Sequence, residues 1–241
     1  KINFTLNTKP TTLTTADFGL VKVLEGRDWT NEDKFEFGLT SEGNAPMPES
    51  KIAVATKGHA GISFGEIAYD KPGTYVYKVS EKHAGTTVDG IAYSDNVAEF
   101  TVTVKPNEKG KLEASATKTS GETEFKNTYA ADHVESSVTD QIKATKVLTG
   151  RDLKEGEFSF ELVEGNDVVA TGKNDARGKI TMSPIEYTAA GKHTYTLREV
   201  PGDAGNGITY DGKTYTIETV VKDNGDGTLK AEHVLKGADE A

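Results

Sequence analysis

Gly73-Thr-Tyr-Val-Tyr-Lys-Val-Ser-Glu81 is the stretch that decides the fold. Its residues alternate between apolar and polar, the two-residue period of a half-buried β-strand, so Tyr77, Val79 and Glu81 share one face. The pattern returns as Gly191-Lys-His-Thr-Tyr-Thr-Leu-Arg-Glu199, where Tyr195, Leu197 and Glu199 are aligned in the same way. A chain of 241 residues has room for one or two domains, and a strand recurring with its neighbours decides for two.

Working outward, the same order of motifs appears twice. Lys22-Val-Leu-Glu-Gly-Arg-Asp28 precedes the first copy of the strand, and Lys146-Val-Leu-Thr-Gly-Arg-Asp152 precedes the second. Ile62-x-Phe64-x-x-Ile67-x-Tyr69 matches Ile180-x-Met182-x-x-Ile185-x-Tyr187, and Gly90-Ile-Ala-Tyr93 matches Gly207-Ile-Thr-Tyr210. Strands are predicted near Phe18–Leu24, Lys34–Thr40, Lys51–Thr56, Gly61–Ile67, Thr74–Glu81, Ile91–Val104, Lys111–Thr117 and Thr123–Tyr129, with most of that order repeated in the second half. The class is all-β: two tandem β-sandwich domains, elongated, since alternating strands bury one face each by stacking two sheets. The boundaries expected are 10–132 and 133–241, with 130–140 as a short polar connector.

Composition narrows the function. The net charge of −10 disfavours nucleic acid and anionic lipid as partners. No apolar run is long enough to cross a bilayer, so membrane insertion is not expected. Cysteine is absent, which removes disulfides and thiolate metal sites. The five histidines, His59, His83, His133, His193 and His233, lack ligand spacing, and neither a metal nor a cofactor is expected.

The chemistry lies in three faces. Leu20, Lys22 and Leu24 point one way, and so do Ala144, Lys146 and Leu148. Phe125, Asn127 and Tyr129 form a third face, within the unrepeated Phe125-Lys-Asn-Thr-Tyr129. A lysine in a strand is ordinarily an edge residue or a snorkelling stem. An amine, a carboxyl and a carboxamide set among core residues would each cost several kcal/mol unpaired, so they are expected to meet. Burial pushes a lysine toward its neutral, nucleophilic form and a glutamate toward its protonated form. Lys22 is then placed to attack Asn127 with Glu81 assisting, giving an amide crosslink and ammonia.

These motifs together resemble the isopeptide-linkage domains of Gram-positive pilins and surface adhesins, of the backbone-pilin type, over nearly the whole chain. The resemblance implies a lysine on the first strand joined to an asparagine on the last, with an acidic catalyst. Those roles fall on Lys22, Asn127 and Glu81, and in the second copy on Lys146 and Glu199. It further implies a structural stalk on the bacterial cell wall, extracellular, with neighbouring modules or subunits of the same fibre as partners and no turnover of an external substrate.

The second copy departs from the pattern. After Gly207-Ile-Thr-Tyr210 and a strand over Thr228–Leu235, no Phe-x-Asn-x-Tyr segment follows, and the chain reads as a fragment. Residues 1–9, with Ile2-Asn-Phe-Thr-Leu-Asn-Thr8, look like the closing strand of a preceding module, with Asn7 or Asn3 as candidate partner for Lys146 of another molecule. The alternative function is an adhesin module recognising a host protein or glycan, with Trp29 as its aromatic candidate. Gly61-Ile-Ser-Phe-Gly65 matches a hydrolase elbow without the following helix, and Asp223-Asn-Gly-Asp-Gly227 reads as a hairpin turn and not a calcium loop.

Overall fold

A computed structural model describes residues 9–239, and the chain divides into two units between Ala130 and Ala131. In the first unit the strand Gly73–Glu81 lies in the middle of a five-stranded antiparallel sheet. Val97–Pro106 and Leu112–Ser120 extend it on one side, and Lys34–Ser41 and Ile52–Thr56 on the other. A second sheet orders Val21–Glu25, Glu124–Tyr129, Ile91–Ala92 and Thr87–Val88. Its first two strands run parallel, so the first and last long strands of the unit are neighbours. Thr11–Thr14 pairs separately with Glu66–Tyr69.

The two-residue period builds the core as expected. Phe35, Phe37, Tyr77, Val79, Phe100, Val102 and Phe125 are buried between the sheets, a sandwich held by apolar area removed from water. Three predicted strands are shorter than their patterns. The run Ile91–Val104 breaks into Ile91–Ala92 and Val97–Pro106, because the chain turns at Ser94–Asn96 and passes from one sheet to the other. Phe18 closes a short 3-10 turn, Thr15–Phe18, that ends on Gly19 in the left-handed region. Of Gly61–Ile67 only the end is strand, as part of Glu66–Tyr69.

The second unit repeats the larger sheet with six strands, in the order Ile180–Met182, Asp167–Asn174, Ser159–Glu164, Gly191–Val200, Thr214–Asp223 and Leu229–Asp239. Val134–Ser136 pairs with Ile185–Tyr187 as Thr11–Thr14 pairs with Glu66–Tyr69. Each unit also buries a tyrosine pair joined through its hydroxyls, Tyr69 with Tyr77 at 3.0 Å and Tyr187 with Tyr195 at 3.1 Å. The smaller sheet is not repeated among the described residues. The segment around Lys146 bonds on one side only, through Lys146 N–H to Gly178 O and Ile180 N–H to Ala144 O. Residues 207–210 form no strand.

Candidate functional site: a lysine, glutamate and asparagine cluster

Two paired strands of the smaller sheet and one strand of the larger sheet bring the predicted residues of the first unit together. Val21–Glu25 carries Lys22, flanked on its own face by buried Leu20 and Leu24. Gly73–Glu81 ends on Glu81, and Glu124–Tyr129 carries Asn127 between buried Phe125 and Tyr129. Lys22, Glu81 and Asn127 are 2%, 3% and 0% exposed, so water does not compete for their hydrogen bonds.

Glu81 joins the other two. Lys22 Nζ donates to Glu81 Oε2 at 3.0 Å, and Asn127 Nδ2 donates to Glu81 Oε1 at 2.9 Å. Lys22 also donates to the carbonyl of Phe125 at 3.0 Å and lies 4.9 Å from the ring centroid of Phe35. The remaining polar atom of the cluster, Asn127 Oδ1, accepts from the backbone N–H of Ser94 at 2.8 Å. Burial outweighs the attraction of Glu81 and brings the Lys22 pKa down to about 8. Burial likewise raises the Glu81 carboxyl above its ordinary range, against the opposing pull of Lys22 and the Asn127 amide. Both shifts favour the neutral amine and neutral acid over the ion pair.

The sequence does not say which end of the carboxamide meets Glu81. Glu81 faces the nitrogen of the carboxamide and not its oxygen. A backbone N–H requires an acceptor, so the Ser94 contact fixes which end of the Asn127 amide is which. Phe35, Phe125 O and Ser94 N–H were not singled out from the sequence. Phe35 was legible as a core position of a predicted strand, whereas the two backbone groups have no side-chain signature.

The second unit brings Lys146 and Glu199 together, with no third member among the described residues. Lys146 Nζ lies 2.6 Å from Glu199 Oε1 and 4.3 Å from the Phe158 centroid, with Phe158 in the place of Phe35. Glu199 Oε1 makes no hydrogen bond of good geometry, and Glu199 Oε2 accepts from Asp211 N–H at 2.7 Å. A groove of about 460 Å³ opens beside the pair, lined in part by Lys146, Glu199, Tyr210, Asp211, Ile217 and Leu235. It lies where the first unit has its closing strand.

The glycines beside the two lysines record the same difference. Gly26 has φ +89°, and a Cβ there would overlap the carbonyl of Tyr129 on the closing strand. Gly150, its counterpart with φ +98°, has nothing within 4 Å of such an atom. Asn3 and Asn7 lie outside the described residues.

The other sequence candidates are structural. Arg27 grips Asp33 with both terminal nitrogens at 2.8 and 2.9 Å and lies 5.0 Å from the Tyr129 centroid, and Arg151 pairs with Glu157 in the corresponding loop. Trp29 is half-buried, edge-on to Phe35 at 5.0 Å. Ser63 Oγ is bonded to Thr15 Oγ1 at 3.2 Å, and residues 223–227 form the tip of a hairpin. Among the described residues no group of three or more acidic or histidine side chains has metal-binding geometry, and no helix is long and apolar enough to cross a membrane.

Fold and cluster together define a tandem β-sandwich protein of the pilin type, with a buried lysine, glutamate and asparagine between first and last strands. The chain belongs to the FctA family, the Spy0128-like isopeptide containing domain, whose model matches residues 18–130 and again 142–241. Among solved structures it is similar to a mutant of the major pilin from Streptococcus pyogenes, at 18% identity, covering 97% of this chain and 93% of that one with a TM-score of 0.36. A second mutant of that pilin matches at 17% identity over the same shares, with a TM-score of 0.35. The major pilin protein of a further S. pyogenes serotype matches at 18% identity, covering 95% and 92%, with a TM-score of 0.31. No curated protein matches the chain.

Proposed function

We propose that the chain is a stalk segment of a bacterial surface pilin, built of modules 10–132 and 133–241, in which the first module forms an amide bond between Lys22 and Asn127. The observation that carries this reading is that Lys22 Nζ and Asn127 Nδ2 occupy the two oxygens of one buried carboxyl. Within the cluster a proton passes from Lys22 to Glu81, and the neutral amine adds to Cγ of Asn127. Glu81 then relays a proton to Nδ2, the Cγ–Nδ2 bond breaks, and ammonia leaves. The reaction happens once per molecule, so the protein is not an enzyme acting on outside substrates.

The bond closes a ring between the first and last strands. By analogy with a disulfide spanning about 100 residues, it adds on the order of 4–5 kcal/mol. Its larger effect is mechanical: tension crosses the module through a covalent tie and does not peel the strands apart. That suits an extracellular fibre anchored at the cell wall, whose partners are further modules or subunits. Intact-mass measurement tests the reading. The chain is expected to be one ammonia lighter than its sequence, and Glu81→Ala is expected to restore the full mass. A full mass in the parent would overturn the bond.

For the second module we propose completion by a strand from another molecule, with residues 1–9 as the donor and Asn7 or Asn3 facing Lys146. The open groove supports this, as does the unsatisfied edge beside Lys146. Asn127 has Phe125 and Tyr129 two residues away on either side, whereas Asn3 and Asn7 have Lys1, Thr5 and Lys9 at that spacing. Burying Ile2, Phe4 and Leu6 therefore competes with presenting an asparagine. Ladders that survive boiling in detergent are expected from covalent completion, and a monomer band alone would rule that form out. The adhesin alternative has no support in Trp29, which packs on Phe35, and the large exposed hydrophobics among the described residues are aliphatic.

A further inference from the structure

Addition of Lys22 to Asn127 Cγ places a negative charge on Oδ1, and Glu81 stands at the other end of the amide. The group beside Oδ1 is the Ser94 N–H, at 2.8 Å in the uncharged state. Its position is set by backbone contacts and not by the Asn127 side chain. Ile91 and Ala92 pair with Tyr129 and Thr128, Tyr93 N–H donates to Thr86 O at 2.8 Å, and Ser94 Oγ accepts from Asn96 N–H at 3.2 Å. A donor held in place before the charge develops needs no reorganisation when it does.

The second unit shows the same donor in another state. Gly207-Ile-Thr-Tyr210 matches Gly90-Ile-Ala-Tyr93, so Asp211 follows it as Ser94 follows the first motif. Asp211 N–H donates to Glu199 Oε2 at 2.7 Å, while the other oxygen, Oε1, lies against Lys146. In the first unit the carboxyl oxygen not held by lysine accepts from the asparagine Nδ2, and the N–H serves the asparagine oxygen. Among the described residues no carboxamide enters this contact, and the N–H and the carboxyl satisfy each other.

We propose that the backbone N–H of Ser94 is the donor that stabilises the oxyanion on Asn127, and that its counterpart at Asp211 is held by Glu199 until an incoming carboxamide takes it. The inference rests on the Lys–Asn bond proposed above. A carboxamide replaces both halves of the resting contact from two separate atoms, since its oxygen takes the N–H and its nitrogen donates to the carboxyl, as Asn127 does in the first unit. The second site is thus matched to a carboxamide before any chemistry occurs.

The test is a single-atom exchange. In cell-free synthesis, Ser94 is replaced by the corresponding α-hydroxy acid, which substitutes an ester oxygen for the N–H and keeps the side chain. Loss of ammonia is followed by intact mass. If the parent loses no ammonia, the Lys22–Asn127 bond itself is wrong and this inference goes with it. With a parent that converts, the ester chain is expected to convert about 10²–10³-fold more slowly; conversion at the parent rate overturns the role of the N–H.

A second measurement covers failure of the ester chain to fold. A synthetic peptide of residues 123–130 is titrated into the parent, and the Asp211 amide proton is followed by NMR. A shift is expected with this peptide and not with its Asn→Leu analogue. No shift, or equal shifts with both, overturns the exchange of partners.

Discussion

The two lysine sites were built from one pattern and differ by one strand. Lys22 and Glu81 have fully buried side chains; those of Lys146 and Glu199 are 11% and 3% exposed. Both lysines sit over a phenylalanine and both are anchored by a backbone bond on their inner side, Lys22 N–H to Ala60 O and Lys146 N–H to Gly178 O. The sandwich therefore positions the amine and the carboxyl before any asparagine arrives. What the closing strand adds is the carboxamide, the last of the burial and the parallel neighbour of the lysine strand.

Removing the amine breaks the comparison most severely. Lys22→Ala prevents the ring and leaves the buried Glu81 carboxyl without the lysine nitrogen, so the first unit is expected to lose about 4–5 kcal/mol, the contribution of the ring. Lys146→Ala should cost distinctly less, because its site is open to solvent. Denaturant titration of both variants checks this, and equal losses would mean that the closing strand contributes little to the first site.

The glycines sharpen the contrast at smaller scale. Gly26→Ala forces a Cβ into the Tyr129 carbonyl at a left-handed φ, with an expected cost of about 2–4 kcal/mol. Gly150→Ala meets only the conformational penalty, about 1–2 kcal/mol, until a strand fills the groove. Thermal unfolding of the two variants reads the difference directly.

The smallest effect concerns a place where the units differ in polarity. Aligned through Tyr69 with Tyr187 and Tyr77 with Tyr195, the apolar Leu13, Val102 and Ala116 correspond to Ser136, Thr219 and His233. His233 is buried, with Nε2 2.8 Å from Ser136 Oγ and Nδ1 2.7 Å from Thr219 Oγ1. Burial lowers its pKa below the ordinary 6.5. The unfolded chain then binds the proton more readily, so this contribution is complete above pH 6.5 and is lost as pH falls below it, by at most about 1.4 kcal/mol per pH unit. Chemical denaturation between pH 7 and 5 should show the second unit weakening, and Ser136→Leu, Thr219→Val and His233→Ala together should flatten the slope.

Side-chain parity was enough to place Lys22, Glu81 and Asn127 on buried faces, because alternation along a strand is a local property and polar groups forced inward have few ways to be satisfied. The same reading recognised the repeat, which the family model matches twice along the chain. It ran Ile91–Val104 together as one strand, although Ser94-Asp95-Asn96 is a polar, turn-prone run and the apolar positions shift there from Ile91 and Tyr93 to Ala98, Phe100, Val102 and Val104, a change of parity that marks where the chain changes sheet. The Ser136–His233–Thr219 contacts escaped as well, since they join residues from three separate strands.

The amino-acid order alone thus settled the all-β class, the duplication and that Lys22, Glu81 and Asn127 face inward, since these follow from alternation and recurrence along the chain. Tertiary structure alone decided which end of the Asn127 amide meets Glu81, where the Ser94 and Asp211 N–H groups point, and that Lys146 borders an open groove. These depend on backbone groups and strand neighbours brought together from distant parts of the chain, and a backbone N–H carries no letter in the sequence.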